Sequence, residues 1–527
     1  MQRQGIDRLA AESPLAIQEL LKAEAFAHAV TRMELRETHI SWVVLTGPYA
    51  YKVKKPVKFD FIDASTLERR RQLCEEELRL NRRLAPDLYI GVVAITRDDG
   101  RCVVGGGGKA VEYALQMHQF DAGAELPQLL AHCAVSPAEI AALGESLARF
   151  HLQAAKAPAC DVPQKTEQMY DSVLGNLAQL LTHLGPFAPA SELGPLVDWT
   201  HDNAHDLEPT FQMRERGGFV REGHGDLHAA NIARWRDRLV AFDCIEFDPK
   251  LRWIDVMNDV AFLVMDLVSR QRADLAFVLL SRYLEVTGDY EGPRVLPFYA
   301  VYRALVRAKV DAITAESVPA REAELRARLQ HRIRAAAGWM TARQPTLILM
   351  HGPSGSGKSW MSERLVPEMR AVRIRSDVER KRLAGIGALE SAAADAQRIY
   401  SAQFSHRTYS RLADCAENCL GAGLNVIVDA AFLEAADREV FRTLAGDIGA
   451  RFLIVSCQAD PISLAAHILE RAAKHDDPSD ATLAVLDRQL RAIQPFEASE
   501  QECVIPIEVT QPDAVQRVAD AIRARSA

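Results

Sequence analysis

One octapeptide restricts this chain more than any other feature: Gly352-Pro353-Ser354-Gly355-Ser356-Gly357-Lys358-Ser359, set directly after the apolar run Thr346–Met350. A strand that empties into a glycine-rich turn, which then opens a helix, wraps backbone N–H groups around phosphate oxygens. The glycines let the chain turn its amides inward, and the helix adds the positive end of its dipole. Lys358 is then placed to neutralise β- and γ-oxygens and Ser359 to hold Mg²⁺. Further strand-like runs at Ala371–Arg375, Asn425–Asp429, Phe452–Ser456 and Val504–Val509 alternate with helix-length segments. That alternation predicts a parallel sheet covered by helices on both faces. Carboxylates at the carboxyl ends of such strands face the crevice, so Asp377 and Asp429 are expected beside the phosphates. The competing role for each is a helix N-cap or a strand-end turn.

A second polar constellation lies upstream, His224-Gly225-Asp226-Leu227-His228-Ala229-Ala230-Asn231. An aspartate five residues before an asparagine is the spacing that places a hydroxyl-activating carboxylate and a Mg²⁺ ligand around one phosphate. Asp243, after the short strand Leu239–Phe242, supplies another oxygen ligand. Nearer the start, Ser41–Leu45, Tyr51–Val57, Cys102–Val104 and Val111–Met117 read as strands and Ser65–Leu84 as a helix, a small sheet with one helix. The run Gly105–Gly108 between two of those strands is expected to be a hairpin turn. Residues 137–340 are mostly helical in pattern, and an arginine-rich helix, Ala320–Ala342, ends at Gln344-Pro345. The division is therefore drawn as 1–343, with a small lobe at about 25–119 and a helical large lobe at about 120–343, followed by 344–527.

At 527 residues the chain exceeds what one hydrophobic core supports, which agrees with such a division. Nine singly scattered cysteines argue for a reducing compartment. Met1–Ala10 lacks the apolar core of an export signal, and Val256–Val268 is interrupted by Asn258, Asp259 and Asp266, so neither export nor a membrane span is expected. A cytoplasmic protein is the reading. The net charge of −8 disfavours nucleic acid as a partner relative to a small molecule.

The C-terminal motifs, with Ser376-Asp377-Val378-Glu379-Arg380 and Val428-Asp429-Ala430, resemble the P-loop kinases of small molecules and nucleic-acid ends. That resemblance implies ATP as phosphoryl donor. It makes Asp377 the acceptor of the substrate hydroxyl proton, Arg380 a holder of the acceptor, and Asp429 a support for Mg²⁺. Glu470-Arg471, ahead of the polar stretch Lys474–Asp480, looks like a mobile lid whose Arg471 reaches the γ-phosphate on closure. Arg370, Arg373, Arg375, Arg380, Lys381 and Arg382 together would suit an anionic acceptor.

The upstream loop resembles the aminoglycoside phosphotransferase branch of the protein-kinase-like fold. It implies Asp226 as the group that orients or deprotonates the acceptor, and Asn231 and Asp243 as Mg²⁺ ligands. Lys52, in Ala50-Tyr51-Lys52, grips the α/β-phosphates and Glu77 pairs with it, although Lys54 shares the same strand face. Thr46-Gly47-Pro48 departs from the pattern, offering one glycine where protein kinases have three. The order of the two parts is similar to that of bacterial bifunctional proteins that join an aminoglycoside phosphotransferase-like unit to a P-loop ATP-binding unit. The expected fold is accordingly α+β and kinase-like, then a three-layer α/β/α domain. The expected activity is phosphoryl transfer from ATP to hydroxyl acceptors, the alternative being an ATP-binding regulator with one or both units non-catalytic.

Overall fold

The pleat of one strand arranges the first site. Along Tyr49–Lys54, Tyr51 and Val53 point into an apolar cluster with Trp42, Val44, Ile95 and Ala114, so Lys52 and Lys54 must point to the opposite face. The computed structural model containing this strand describes residues 15–59, 62–98, 100–158, 175, 190–317, 322–341, 344–390, 396–474 and 482–526. The chain forms two compact units, Met1–Asp161 with Arg214–Asp259, and Val162–Met213 with Val260–Ala527.

In the first unit, β1 (Glu34–Glu37), β2 (Ser41–Leu45), β3 (Tyr49–Lys54), β4 (Tyr89–Asp98), β5 (Arg101–Val104) and β6 (Lys109–His118) form one antiparallel sheet, ordered β1-β2-β3-β6-β4-β5. Helix α1 (Leu67–Asn81) begins where the Thr66 side chain accepts a hydrogen bond from the Arg69 amide, and it buries Cys74, Glu77 and Leu80. The expected hairpin at Gly105–Gly108 is not one. Strand β4 lies between β5 and β6, so the glycines carry the chain across its end, where a Cβ on Gly108 would meet the Arg97 carbonyl oxygen at 2.5 Å. The Val- and Ile-rich run of β4 was the signal for that strand. Helix α2 (Pro137–Gln153) opens with a Ser136/Glu139 capping box. Strands β7 (Ile232–Trp235) and β8 (Arg238–Ala241) then make a two-residue hairpin through Arg236 and Asp237, both at positive φ. Helix α3 (Val256–Ser269) begins in this unit.

The second unit contains α4 (Ala273–Thr287), which ends at a left-handed Gly288, and the paired helices α5 (Leu296–Ser317) and α6 (Glu322–Met340). Next come β9 (Thr346–His351), α7 (Lys358–Met369), β10 (Ala371–Arg375), α8 (Ser376–Ala384), α9 (Ala402–Gly421), β11 (Asn425–Asp429), α10 (Ala435–Ile448), β12 (Arg451–Gln458), α11 (Pro461–Lys474), α12 (Leu483–Ala492), β13 (Val504–Glu508) and α13 (Ala514–Ser526). Every strand pairs in parallel, ordered β10-β11-β9-β12-β13. Strand β9 is buried at all six positions, as a central strand covered on both faces must be. The layer pattern is the expected one: an α+β N-terminal part and an α/β part with a parallel sheet behind the glycine-rich loop.

Candidate functional site

The C-terminal cradle is built by backbone geometry. Gly352, Gly355 and Gly357 have φ of 137°, 85° and 82°. A Cβ on them would lie 2.7 Å from the Cys457 carbonyl oxygen, 2.5 Å from that of Leu464 and 2.7 Å from a Val509 methyl, respectively. Both the left-handed conformation and the close neighbours demand glycine. The first part of the loop is tied down: the Gly352 amide donates to the Ala431 carbonyl at 3.1 Å and the Ser354 amide to Gln489 Oε1 at 2.7 Å. Lys358 Nζ donates to the Pro353 carbonyl at 2.8 Å, bending across the loop. Ser356 Oγ is buried with no hydrogen-bond partner among the described residues. A glycine-rich loop at the start of a helix, an unsatisfied hydroxyl and a lysine fit a polyphosphate.

Ser354 through Ser359, with Asp377, Arg380 and Asp429, line a cavity of about 660 Å³ above the ends of β9, β10 and β11. Asp377 stands in the first turn of α8 and Asp429 closes β11. Ser362, one turn into α7, donates to Asp429 Oδ2 at 3.1 Å. Arg380 is buried, donating to the Ile399 carbonyl at 2.7 Å and Ser405 Oγ at 3.2 Å, while its Nε has no partner among the described residues. The basic cluster read as one feature divides in the structure. Arg375 and Arg380 line the cavity, whereas Lys381 donates to the Ala388 and Glu390 carbonyls and Arg382 to Glu379 and the Glu285 carbonyl. Arg471 lies on α11 with its side chain outside the described residues, and residues 475–480 of the expected lid lie outside them too.

The N-terminal site gathers charges from distant strands and loops. Lys52 Nζ lies 2.7 Å from Glu77 Oε1 and also pairs with Asp243, while Lys54 bridges Glu77 and Glu246. Of the two lysines that share this face, Lys52 is therefore the one joined to Asp243. Asn231 Nδ2 donates to the Asp226 carbonyl at 2.9 Å and to its Oδ2 at 3.1 Å, and His228 Nε2 lies 3.3 Å from the same carboxylate. Behind the loop, Asp259 accepts from the amides of His224 and Gly225 and sits 3.3 Å from His151 Nε2. The Thr46-Gly47-Pro48 turn is closed tightly. The Gly47 amide donates to Gln119 Oε1 at 2.9 Å, and Thr46 Oγ1 donates to the Tyr49 carbonyl at 2.9 Å.

An AAA domain model matches residues 347–496. The uncharacterized protein Rv2004c of Mycobacterium tuberculosis (strain ATCC 25618 / H37Rv) is 30% identical over 466 residues, covering 87% of this chain and 91% of the relative. The uncharacterized protein Mb2027c of Mycobacterium bovis matches at the same identity and coverage. The chain belongs to this family. Among solved structures, a gluconokinase from Sinorhizobium meliloti 1021 is similar at 19% identity and TM-score 0.26, covering 35% of this chain and 99% of that one. A choline/ethanolamine kinase family protein from Mesorhizobium loti is similar at 13% identity and TM-score 0.37, covering 64% and 95%.

Electrostatics distinguish the members of this family chain's two sites. Loss of water works against the Lys52 charge, but Asp243, then Glu77 and Glu246, outweigh it and hold the ammonium firmly protonated. Burial likewise opposes ionisation of Asp259. The His151 hydrogen bond and the neighbouring His224 overcome it and hold the Asp259 carboxyl at about 2. In the C-terminal unit, burial and then Arg438 and Lys358 lower His351, beneath the loop, to about 4, so it is neutral near pH 7. Asp437, on α10, also lines the cavity, and burial followed by its neighbour Glu434 raises it to about 6. The sequence alone does not mark Asp437, which stands in the first turn of a charged helix with no motif around it. Only its position on the cavity wall marks it out.

Proposed function

We propose that this protein is an ATP-dependent phosphotransferase with two ATP-binding units, divided near residues 343/344, each passing a γ-phosphoryl group to a hydroxyl of a small-molecule acceptor in the cytoplasm. The observation that carries the proposal is the glycine-rich loop at 352–359, which has three glycines at positive φ where a Cβ would not fit and which, from Ser354 to Ser359 and including Lys358, lines one cavity. In the C-terminal unit those groups hold phosphate oxygens, Asp377 takes the acceptor proton, Arg380 holds the acceptor and Arg471 approaches the γ-phosphate from α11. In the N-terminal unit Lys52, set by Glu77, holds the α/β-phosphates. Asp226 takes the hydroxyl proton there as the acceptor oxygen bonds to phosphorus and ADP leaves.

Ser359 and Asp429 in one unit, and Asn231 and Asp243 in the other, are the oxygen donors suited to magnesium. Magnesium, when bound, neutralises charge on the phosphoryl oxygens. A second reading, in which the N-terminal unit binds nucleotide without transfer, is favoured by the Thr46-Gly47-Pro48 turn, which is short and locked to Gln119.

A screen of metabolite extracts for transfer from labelled ATP, comparing wild type with Asp226→Ala and Lys358→Ala, tests the proposal. Each substitution is expected to remove a different phosphorylated product. If neither alters any product, the enzymatic reading fails. If only Lys358→Ala does, the second reading stands.

A further inference from the structure

The Ser359 end of the glycine-rich loop is braced by a residue of α4, a helix of the same compact unit that lies earlier in the chain. Helix α4 packs against α7 and against β10, the edge strand of the parallel sheet. An edge strand leaves backbone donors unpaired, and here Ser281 of α4 accepts the Arg373 amide at 3.0 Å. One turn further along the same face is Glu285, only 4% exposed. Its Oε2 lies 3.3 Å from Arg373 Nη2, and its Oε1 lies 2.6 Å from Arg282 Nη1 and 3.7 Å from Arg375 Nη1.

Both arginines of β10 continue into the site. Arg373 Nη1 donates to the Ser359 carbonyl at 3.3 Å and approaches Ser362 Oγ at 3.5 Å. Ser362 in turn donates to Asp429 Oδ2, and Arg375 Nε stands 3.9 Å from that same oxygen. The end of α4 is clamped as well, since Arg411 donates to the Gly288 carbonyl at 3.1 Å. Buried Glu379 accepts from Arg382 at 3.0 Å and from Arg411 at 3.3 Å.

We propose that Glu285 is a positioning residue for the cation at the phosphate loop, restraining Arg373 and Arg375 so that the Ser359 peptide stays fixed and the Asp429 carboxylate stays available to metal. The inference rests on the phosphate-loop reading given above. Its physical basis is competition for one carboxylate. A guanidinium released from Glu285 has Asp429 within reach, and an arginine paired to Asp429 excludes a divalent cation from it. Residues that orient metal ligands without touching the metal commonly change metal affinity about 10–100-fold when replaced.

Calorimetry on the full chain with a non-hydrolysable ATP analogue, once with magnesium and once with EDTA, provides the test. The heat that Lys358→Ala abolishes reports this site. Glu285→Gln is expected to weaken magnesium–nucleotide binding about tenfold while leaving the EDTA affinity within about twofold, with Glu285→Asp recovering part of the loss. Removing one partner of a buried ion pair can unfold a protein, so Arg373→Lys provides a second variant that keeps the charge and loses the fork reaching Ser359. It should shift the magnesium requirement in the same direction. Equal losses with and without metal, or none in either variant, overturn the inference. A wild-type chain with no heat for Lys358→Ala to remove overturns the phosphate-loop reading and this inference together.

Discussion

In the C-terminal unit the proposed phosphate contacts are the backbone amides and Lys358 of eight consecutive residues, three of them glycines at positive φ. In the N-terminal unit they are side-chain charges, Lys52 and Asp243 being 191 residues apart. The first arrangement is local, so its geometry is carried by backbone conformation and fails only when a Cβ intrudes. The second exists only when the strand, the helix and the loop are all in place, so the loss of one carboxylate propagates to the others. A cradle can thus be recognised from a short motif, while a charge network has to be assembled by the tertiary fold.

The largest effect expected from breaking this contrast is chemical. Asp226→Ala should lower transfer by the N-terminal unit by about 10²–10⁴-fold, the range for removing a general base, while nucleotide binding to the C-terminal cradle stays as it was. Single-turnover transfer from labelled ATP, with binding measured in parallel, checks both parts. Next in size is the support behind that loop. Asp259→Ala leaves two buried amides and His151 without their acceptor, which should cost about 3–5 kcal/mol in a urea denaturation series. The pH dependence follows the same carboxylate. Its folded value near 2 lies below the unfolded value of about 3.9, so its contribution is complete above pH 5 and is lost as pH falls through about 4 to 2. The variant should show a flatter acid limb than wild type.

A smaller effect is expected from adding one methyl group to the cradle. Gly355→Ala places a Cβ 2.5 Å from the Leu464 carbonyl oxygen at a φ of 85°, a strain of about 1–3 kcal/mol. Nucleotide affinity at that site should fall at least several-fold by calorimetry, and unchanged affinity would show that amide placement is not what holds the phosphates. The smallest effect concerns Asp437. Its carboxyl, raised to about 6, keeps a proton in the folded state that it has lost in the unfolded one, so it lowers stability as pH rises from about 4 to 6. Asp437→Asn should remove that slope from melting temperatures measured across the interval.

The parts legible in the sequence were those whose signal is continuous along the chain. The five strands of the parallel sheet lie close to their expected positions because each is a short apolar run bounded by turn residues. Strand β1 was not legible, since Glu34-Leu35-Arg36-Glu37 has little strand character and is ordered by pairing with β2. The choice between Lys52 and Lys54 was open for a similar reason. Both share one face of β3, and only the approach of Asp243 separates them. Glu285 lies 88 residues from Arg373, and no local pattern joins them.

By itself the sequence determined the glycine-rich loop at 352–359, the spacing of Asp226 and Asn231 and the order of the two folds, because those depend on backbone freedom, periodicity and spacing within one segment. The tertiary structure alone decided which charge answers which: Lys52 with Asp243, Asp259 behind the loop, Glu285 against two arginines of an edge strand. Coulombic and hydrogen-bonding partners are selected by distance in space and by the exclusion of water, and a linear chain specifies neither until it is packed.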